Sequence, residues 1–424
     1  MSAALGAYRL LTRALLPLAR VYLRRRARRQ PAYLEHWDER FEQNAPPLPQ
    51  GGIWLHAVSV GETRAAAPLV EALGRRFDTL PLVMTQMTPT GRETALQLFA
   101  DRATVSYLPY DTAANAAHFV ERLAPRFGVL METELWPNLI HACHERRVPL
   151  FLANARLSEK SARGYARIRP LIAPALAALT GIAAQSEADA ERLRALGALR
   201  VEVLGNTKFD CSPPDGVEAQ VSALRALAGP RPVVVLASTR EGEEALLLDA
   251  LPEDFPALVV LVPRHPQRFD AVATLLAERG IAFQRRSDMV PVAATTRVWL
   301  GDSMGELFGW YSLADAAFVG GSLLPLGGQN LIEPATVGCP VLIGPSTFNF
   351  AAASQAAFAA GAARQVGDAA AVWSGLGALL ADAGRRHDMG QAGLAFAGEH
   401  RGASQRIVDW IAGHLEGQLI RQGI

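Results

Sequence analysis

The chain has 424 residues, half of them hydrophobic and a fifth charged, a globular composition long enough for two or three domains. Forty-two basic and forty-one acidic side chains leave a net charge of +1, so the overall balance marks no nucleic-acid partner. The three cysteines, Cys143, Cys211 and Cys339, are far apart and form no C-x-x-C pair, which argues against a disulfide framework or a structural zinc site and for a reducing compartment.

Residues 1–30 hold eight arginines and no acid. Arginine interrupts their apolar runs well short of the about 18–20 residues that cross a bilayer, and the basic cluster follows the apolar part, the reverse of a signal peptide. On a helical wheel Arg9, Arg13, Arg20 and Arg24 share one side, with Leu10, Leu11, Leu15, Leu18, Val21 and Tyr22 over most of the other; Pro17 would kink the helix. A basic amphipathic helix over 1–30, lying in the membrane interface with its arginines at anionic head groups, is the expectation. The alternative is a helix packed on the protein's own surface with its arginine stripe in water.

From residue 52 short apolar runs alternate with segments of helical composition. The runs are Ile53–Val60, Leu80–Thr85, Thr104–Leu108, Gly128–Glu132, Pro149–Ala153, Gly181–Gln185 and Val201–Leu204, then Val233–Ser238, Leu258–Val262, Val298–Leu300, Ala316–Val319 and Val341–Ile343. Continuous apolar runs are what parallel strands covered on both faces look like. The breaker Cys211–Gly216 divides the two series. The pattern predicts an α/β protein of two Rossmann-like domains, 31–210 and 217–400, facing a central cleft, with a C-terminal helix over 401–424.

Ligands of such sheets bind beyond the carboxyl ends of the strands, and the polar residues gather there. Gly61-Glu62 stands where the first strand turns into a helix; Glu62 can be a general base or can complement the helix dipole. Glu132 and Glu134 are two apart at another strand end, where like charges sharing a face raise a pKa. Lys208 is one of only two lysines in the chain, the other being Lys160; it suits an anionic group or is an ordinary surface lysine. Arg264-His265 after Leu258–Val262 can meet a phosphate or form a rigid turn before Pro266. Ser303 and Glu306 have the spacing of a capping box. The glycine-rich stretch Val319–Ala335 would let a phosphate approach backbone N–H groups, with Glu333 about one helical turn inside and in reach of ribose hydroxyls, or it is a tight turn with Glu333 serving the helix dipole. A Walker A lysine and a G-x-G-x-x-G are both missing from the sequence. These residues alone leave glycosyl transfer, sugar-nucleotide epimerisation and nucleotide binding open.

HAVSVGE, TELWPN, NARLS, GNTKFD, PRHPQRF, GDSMGEL and GGQNLIEPA, in this order, closely resemble the 3-deoxy-D-manno-octulosonic acid (Kdo) transferases of lipopolysaccharide synthesis, which are GT-B glycosyltransferases. The resemblance implies inverting transfer of Kdo from CMP-Kdo to the lipid A precursor, with no cofactor and no metal at the reacting centre. It places the general base on Glu62 and the groups that stabilise the transition state on Glu132 and Lys208. It places the CMP contacts on Pro263 and Arg264, on Met304, Gly305 and Glu306, and on Asn330, Leu331, Ile332 and Glu333. It also implies a peripheral or monotopic protein on the cytoplasmic leaflet of the inner membrane, where the lipid acceptor is made.

Overall fold

The computed structural model describes residues 2–422, and side chains through residue 417. Met1 and residues 423–424, the outer ends of the segments expected at either terminus, lie outside the described residues. The chain forms two compact units, one of residues 1–210 with 402–424, the other of residues 211–401.

The first unit begins with helix α1 (Ala3–Ala27), whose N-cap Ser2 accepts the N–H of Leu5. Its sheet has seven parallel strands: β1 (Ile53–His56), β2 (Leu82–Gln86), β3 (Ala103–Tyr107), β4 (Phe127–Met131), β5 (Leu150–Ala155), β6 (Gly181–Ala184) and β7 (Val201–Val203). Their order is 3-2-1-4-5-6-7, so the connections reverse direction between β1 and β4. Central strands are buried along their whole length, as the apolar runs required. The first run stops at His56 rather than Val60, because a helix over Val60–Ala65 begins there, with Ser59 at its N-cap position. The last helix, Ala403–Gln422, returns to this unit and buries Ile407, Val408 and Ile411 beside Leu69 and Leu73. Asp210 receives it by accepting the N–H groups of Gly402 at 2.5 Å and Ser404 at 2.6 Å.

The second unit has another seven parallel strands: β8 (Val233–Thr239), β9 (Leu258–Pro263), β10 (Phe283–Arg285), β11 (Val298–Leu300), β12 (Ala316–Val319), β13 (Val341–Ile343) and β14 (Ala363–Gln365), ordered 10-11-9-8-12-13-14. Here the reversal lies between β8 and β12. Gly320 follows β12, and a Cβ there would stand 2.8 Å from the Cα of Thr239, so only glycine allows this close approach. The edge strands β10 and β14 were not among the apolar runs; each is three residues long and carries an arginine.

Helix α1 rests part of its arginine side on the protein. Arg9 donates to Asn138 at 3.4 Å, Arg20 lies 5.0 Å over the ring of Phe41 and Arg24 lies 5.8 Å over Trp37. Arg9 and Arg20 are therefore half-buried against the protein, while Arg13 and Arg24 remain exposed. The apolar side points outward, from Leu15 at 46% to Leu10 at 72% exposure, with Leu11, Leu18, Val21 and Tyr22 between them. The guanidinium groups find aromatic faces and a side-chain oxygen on the body. Tyr8 fastens the helix further by donating to Asp111 at 2.9 Å. Among the described residues, no helix is long and apolar enough to cross a membrane.

Candidate active site

In the first unit three acidic residues and Lys208 gather beyond the carboxyl ends of β1 and β4, on either side of the reversal in strand order. The short loop after His56 brings Glu62 into the first turn of its helix, where one carboxylate oxygen accepts the Val58 N–H at 2.8 Å and the other the Ser59 hydroxyl at 3.2 Å. Burial, reinforced by the negative charge of Glu132, nonetheless raises the pKa of Glu62 to about 7, against the lowering effect of those hydrogen bonds and of Lys208. Glu62 thus sits at the helix terminus, as the dipole reading had it, and also stands where it exchanges a proton at neutral pH.

Glu132 follows β4 with a left-handed backbone, φ 56°, a conformation held for a purpose at functional sites. Its carboxylate meets the Lys208 ammonium at 2.8 Å, both side chains being largely buried. Glu134 is also raised to about 7, by burial first and then by the charges of Glu62 and Glu132. The strand ends before this pair, so Glu132 and Glu134 share no strand face; their mutual repulsion survives because both border the same cluster. Beneath them, His56 is fully buried and held neutral, its pKa pushed down to about 3 by burial. Its Nδ1 lies 3.1 Å from the carbonyl and 2.9 Å from the hydroxyl of Thr85.

The nucleotide-contact candidates all belong to the second unit. Pro263 ends β9, and Arg264, whose N–H donates to the Thr239 carbonyl at 2.9 Å, extends its Nε to Gln329 at 3.2 Å. Arg264 and Glu333 both act electrostatically on the buried Tyr311 hydroxyl, which places them around one aromatic side chain. Asn330 accepts the Ile332 N–H at 3.0 Å and donates to Glu333 at 3.0 Å. Leu331 and Ile332 are buried. Glu333 is the second residue of a five-residue helix, Ile332–Thr336, rather than a full turn inside one. Met304 is exposed and Gly305 has φ 82°. The S-x-x-E spacing does not form a capping box: the helix begins at Leu307 with Glu306 as its N-cap residue. Glu306 pairs instead with Arg286 at 2.9 Å and accepts the Ser303 hydroxyl.

The glycine-rich loop also differs from expectation. Glu243, wholly buried, accepts the N–H groups of Gly321 at 2.6 Å, Ser322 at 2.8 Å and Leu323 at 2.9 Å, together with that of Arg240 at 3.0 Å. The Gly327 N–H goes to the Ser346 hydroxyl and that of Gly328 to the Gly321 carbonyl. An internal carboxylate fills the nest of N–H donors that the sequence offered to a phosphate.

Comparison with known proteins shows the family of the chain. Residues 35–211 match the family described as 3-deoxy-D-manno-octulosonic-acid transferase (kdotransferase). The chain is 42% identical over 423 residues to the 3-deoxy-D-manno-octulosonic acid transferase of Bordetella pertussis, a match covering 95% of this chain and 98% of that one. The chain belongs to the Kdo transferases. The enzyme of the same description from Haemophilus influenzae is 38% identical, with 92% and 93% of the two chains covered. The UDP-GlcNAc 2-epimerase of Neisseria meningitidis, 15% identical, superposes with a TM-score of 0.59 over 86% of this chain and all of that one. That likeness concerns the fold, which is of the GT-B type.

As a Kdo transferase the chain holds residues that the motifs quoted above did not single out. Glu243 gave no local signal, because three of its four partners are backbone N–H groups some eighty residues downstream. Asn154 appeared only as the first letter of NARLS, yet it is buried, left-handed at φ 53° and bonded to the turn that carries Lys208.

Proposed function

We propose that this Kdo transferase moves Kdo from CMP-Kdo to the lipid A precursor (lipid IVA) with inversion at the anomeric carbon, Glu62 being the general base. The acceptor hydroxyl attacks the anomeric carbon, its proton passes to Glu62, and the electron pair of the breaking bond leaves on the CMP phosphate. Lys208 and Glu132 stabilise the sugar as charge develops on it. Arg264 meets the departing phosphate, and Asn330 to Glu333 hold the ribose and base, with no metal assigned to the reacting centre. Protein cations in a site shielded from water serve such charge well because they need not reorganise during the reaction.

The observation carrying this reading is the Glu62 carboxyl: raised to about 7 by burial, yet held at the helix start by the Val58 N–H. A base with a pKa near the working pH couples a high ionised fraction to a useful proton affinity. The outward apolar face of α1, ending in Arg24, Arg25, Arg26, Arg28 and Arg29, supports docking on the anionic cytoplasmic leaflet of the inner membrane, where a lipid acceptor is reached.

Incubation of the wild type and Glu62→Gln with CMP-Kdo and lipid A precursor tests the reading. The variant should lose about 10²–10⁴-fold in turnover while still binding CMP. Transfer within a few-fold of the wild-type rate would remove Glu62 from the mechanism.

A further inference from the structure

The turn that presents Lys208, Thr207–Asp210, is clamped from three sides. Its far end is fixed where Asp210 accepts the first N–H groups of the last helix. The Thr207 hydroxyl donates at 3.0 Å to the carbonyl of Ala65, the last residue of the helix that carries Glu62. The Thr207 N–H donates at 3.0 Å to the side-chain oxygen of Asn154 on β5. This third contact is the demanding one. Asn154 is wholly buried and left-handed, φ 53°, and the pairing of β5 with β6 shifts register between Leu152 and Ala155 to accommodate it. Its carbonyl is held by Gln185 Nε2 at 2.9 Å. Non-glycine residues keep such a backbone only where their surroundings over-determine it, and asparagine tolerates it better than most. Just past the neighbouring strand β4, Glu132 is left-handed too, and its N–H donates to the carbonyl of Ala153, the residue before Asn154. The two members of the Glu132–Lys208 pair are thus both referenced to one short piece of β5: Glu132 through Ala153, and Lys208 through Thr207 and Asn154.

We propose that Asn154 is a positioning residue whose side-chain oxygen, by holding the Thr207 N–H, keeps the Lys208 ammonium on Glu132 beside Glu62. The inference rests on the role given above to Lys208. An acceptor is needed rather than bulk alone, because without it a buried N–H is left dry and the turn must move to satisfy it. A shift of about an ångström at the turn suffices to break a 2.8 Å ion pair.

Two lysines in the whole chain make the ion pair directly readable. Lys160 is exposed and serves as the internal reference. Reductive methylation with ¹³C-formaldehyde, followed by NMR of the two dimethylamines, gives the modification rate of Lys208 relative to Lys160. In the intact protein Lys208 should react at least ten-fold more slowly. Asn154→Gly, which accepts φ 53° but lacks the oxygen, should raise the relative rate several-fold, whereas Asn154→Asp, which keeps an acceptor and tolerates the backbone, should retain protection. Asn154→Ser, whose hydroxyl is too short to reach Thr207, carries the same comparison if the glycine variant does not fold. Because Lys208 lowers the pKa of Glu62, Asn154→Gly should also move the acid limb of kcat/KM to higher pH, and adding it to Lys208→Met should move that limb no further. Unchanged protection of Lys208 in Asn154→Gly overturns the positioning role by itself, without reference to turnover. Loss of protection with an unmoved limb in both Asn154→Gly and Lys208→Met overturns the role assigned to Lys208, and the inference with it.

Discussion

The acidic residues of the two candidate sites sit in different electrostatic settings. In the first, Glu62 and Glu134 are crowded with Glu132 and raised to about 7, Glu62 despite the Val58 N–H and the Ser59 hydroxyl. In the second, Glu243 accepts four backbone N–H groups, Glu306 has Arg286 and Ser303, Glu333 has Asn330, and Glu244, though raised by burial, has Arg268 at 3.2 Å. Charges so satisfied hold a shape, whereas carboxyls left near protonation are available for proton transfer.

Three variants sharpen that contrast or break it. The largest effect is expected at Glu243. Glu243→Gln turns an amide N–H₂ toward a pair of backbone N–H groups, and each donor left dry costs about 1–3 kcal/mol. The second unit should therefore lose roughly 2–6 kcal/mol by denaturant titration; a stability change under 1 kcal/mol would mean that the loop keeps its shape without the carboxylate. Next comes Arg264→Ala, which removes a charge-assisted contact worth about 1.5–3 kcal/mol. CMP should then bind roughly 10- to 150-fold more weakly in a calorimetric titration, and unchanged affinity would take the phosphate away from Arg264. The smallest stability effect belongs to α1. Leu10→Ser with Leu18→Ser alters only exposed side chains and should shift stability by about 0.5 kcal/mol or less, yet it should reduce co-sedimentation with anionic vesicles. Undiminished co-sedimentation would send membrane binding to another surface.

Much of the frame was legible before the structure. Twelve apolar runs became strands because buried parallel strands have no polar face to interrupt them, while β10 and β14 escaped because a three-residue edge strand needs no apolar run. The pairing of Lys208 with Glu132 was not readable from spacing, since the two are separated by seventy-six positions and joined only by the strand order. Periodicity gave the two faces of α1 but not which arginines the body would cover. A wheel carries no information about neighbours, and here Phe41 and Asn138 draw in Arg20 and Arg9 while Arg13 and Arg24 stay exposed. The glycines of Val319–Ala335 do permit close approach, but what approaches is the chain's own Glu243.

The central claim, that Glu62 is kept close to its protonation point in order to accept a proton, is tested most directly by measuring kcat/KM and thermal stability across pH 5–9 for the wild type, Glu62→Gln and Glu134→Gln. A base raised to about 7 must be ionised to act, so wild-type kcat/KM should fall below about pH 7, and the limb should persist in Glu134→Gln. A carboxyl whose folded pKa lies above its unfolded value contributes stability that is fully present below the unfolded pKa and lost as pH rises through the folded one. Glu62→Gln should therefore gain melting temperature relative to the wild type at pH 8 compared with pH 5, while losing transfer at every pH. A wild-type profile flat down to pH 5, with a Glu62→Gln protein whose stability tracks the wild type throughout, would contradict the account.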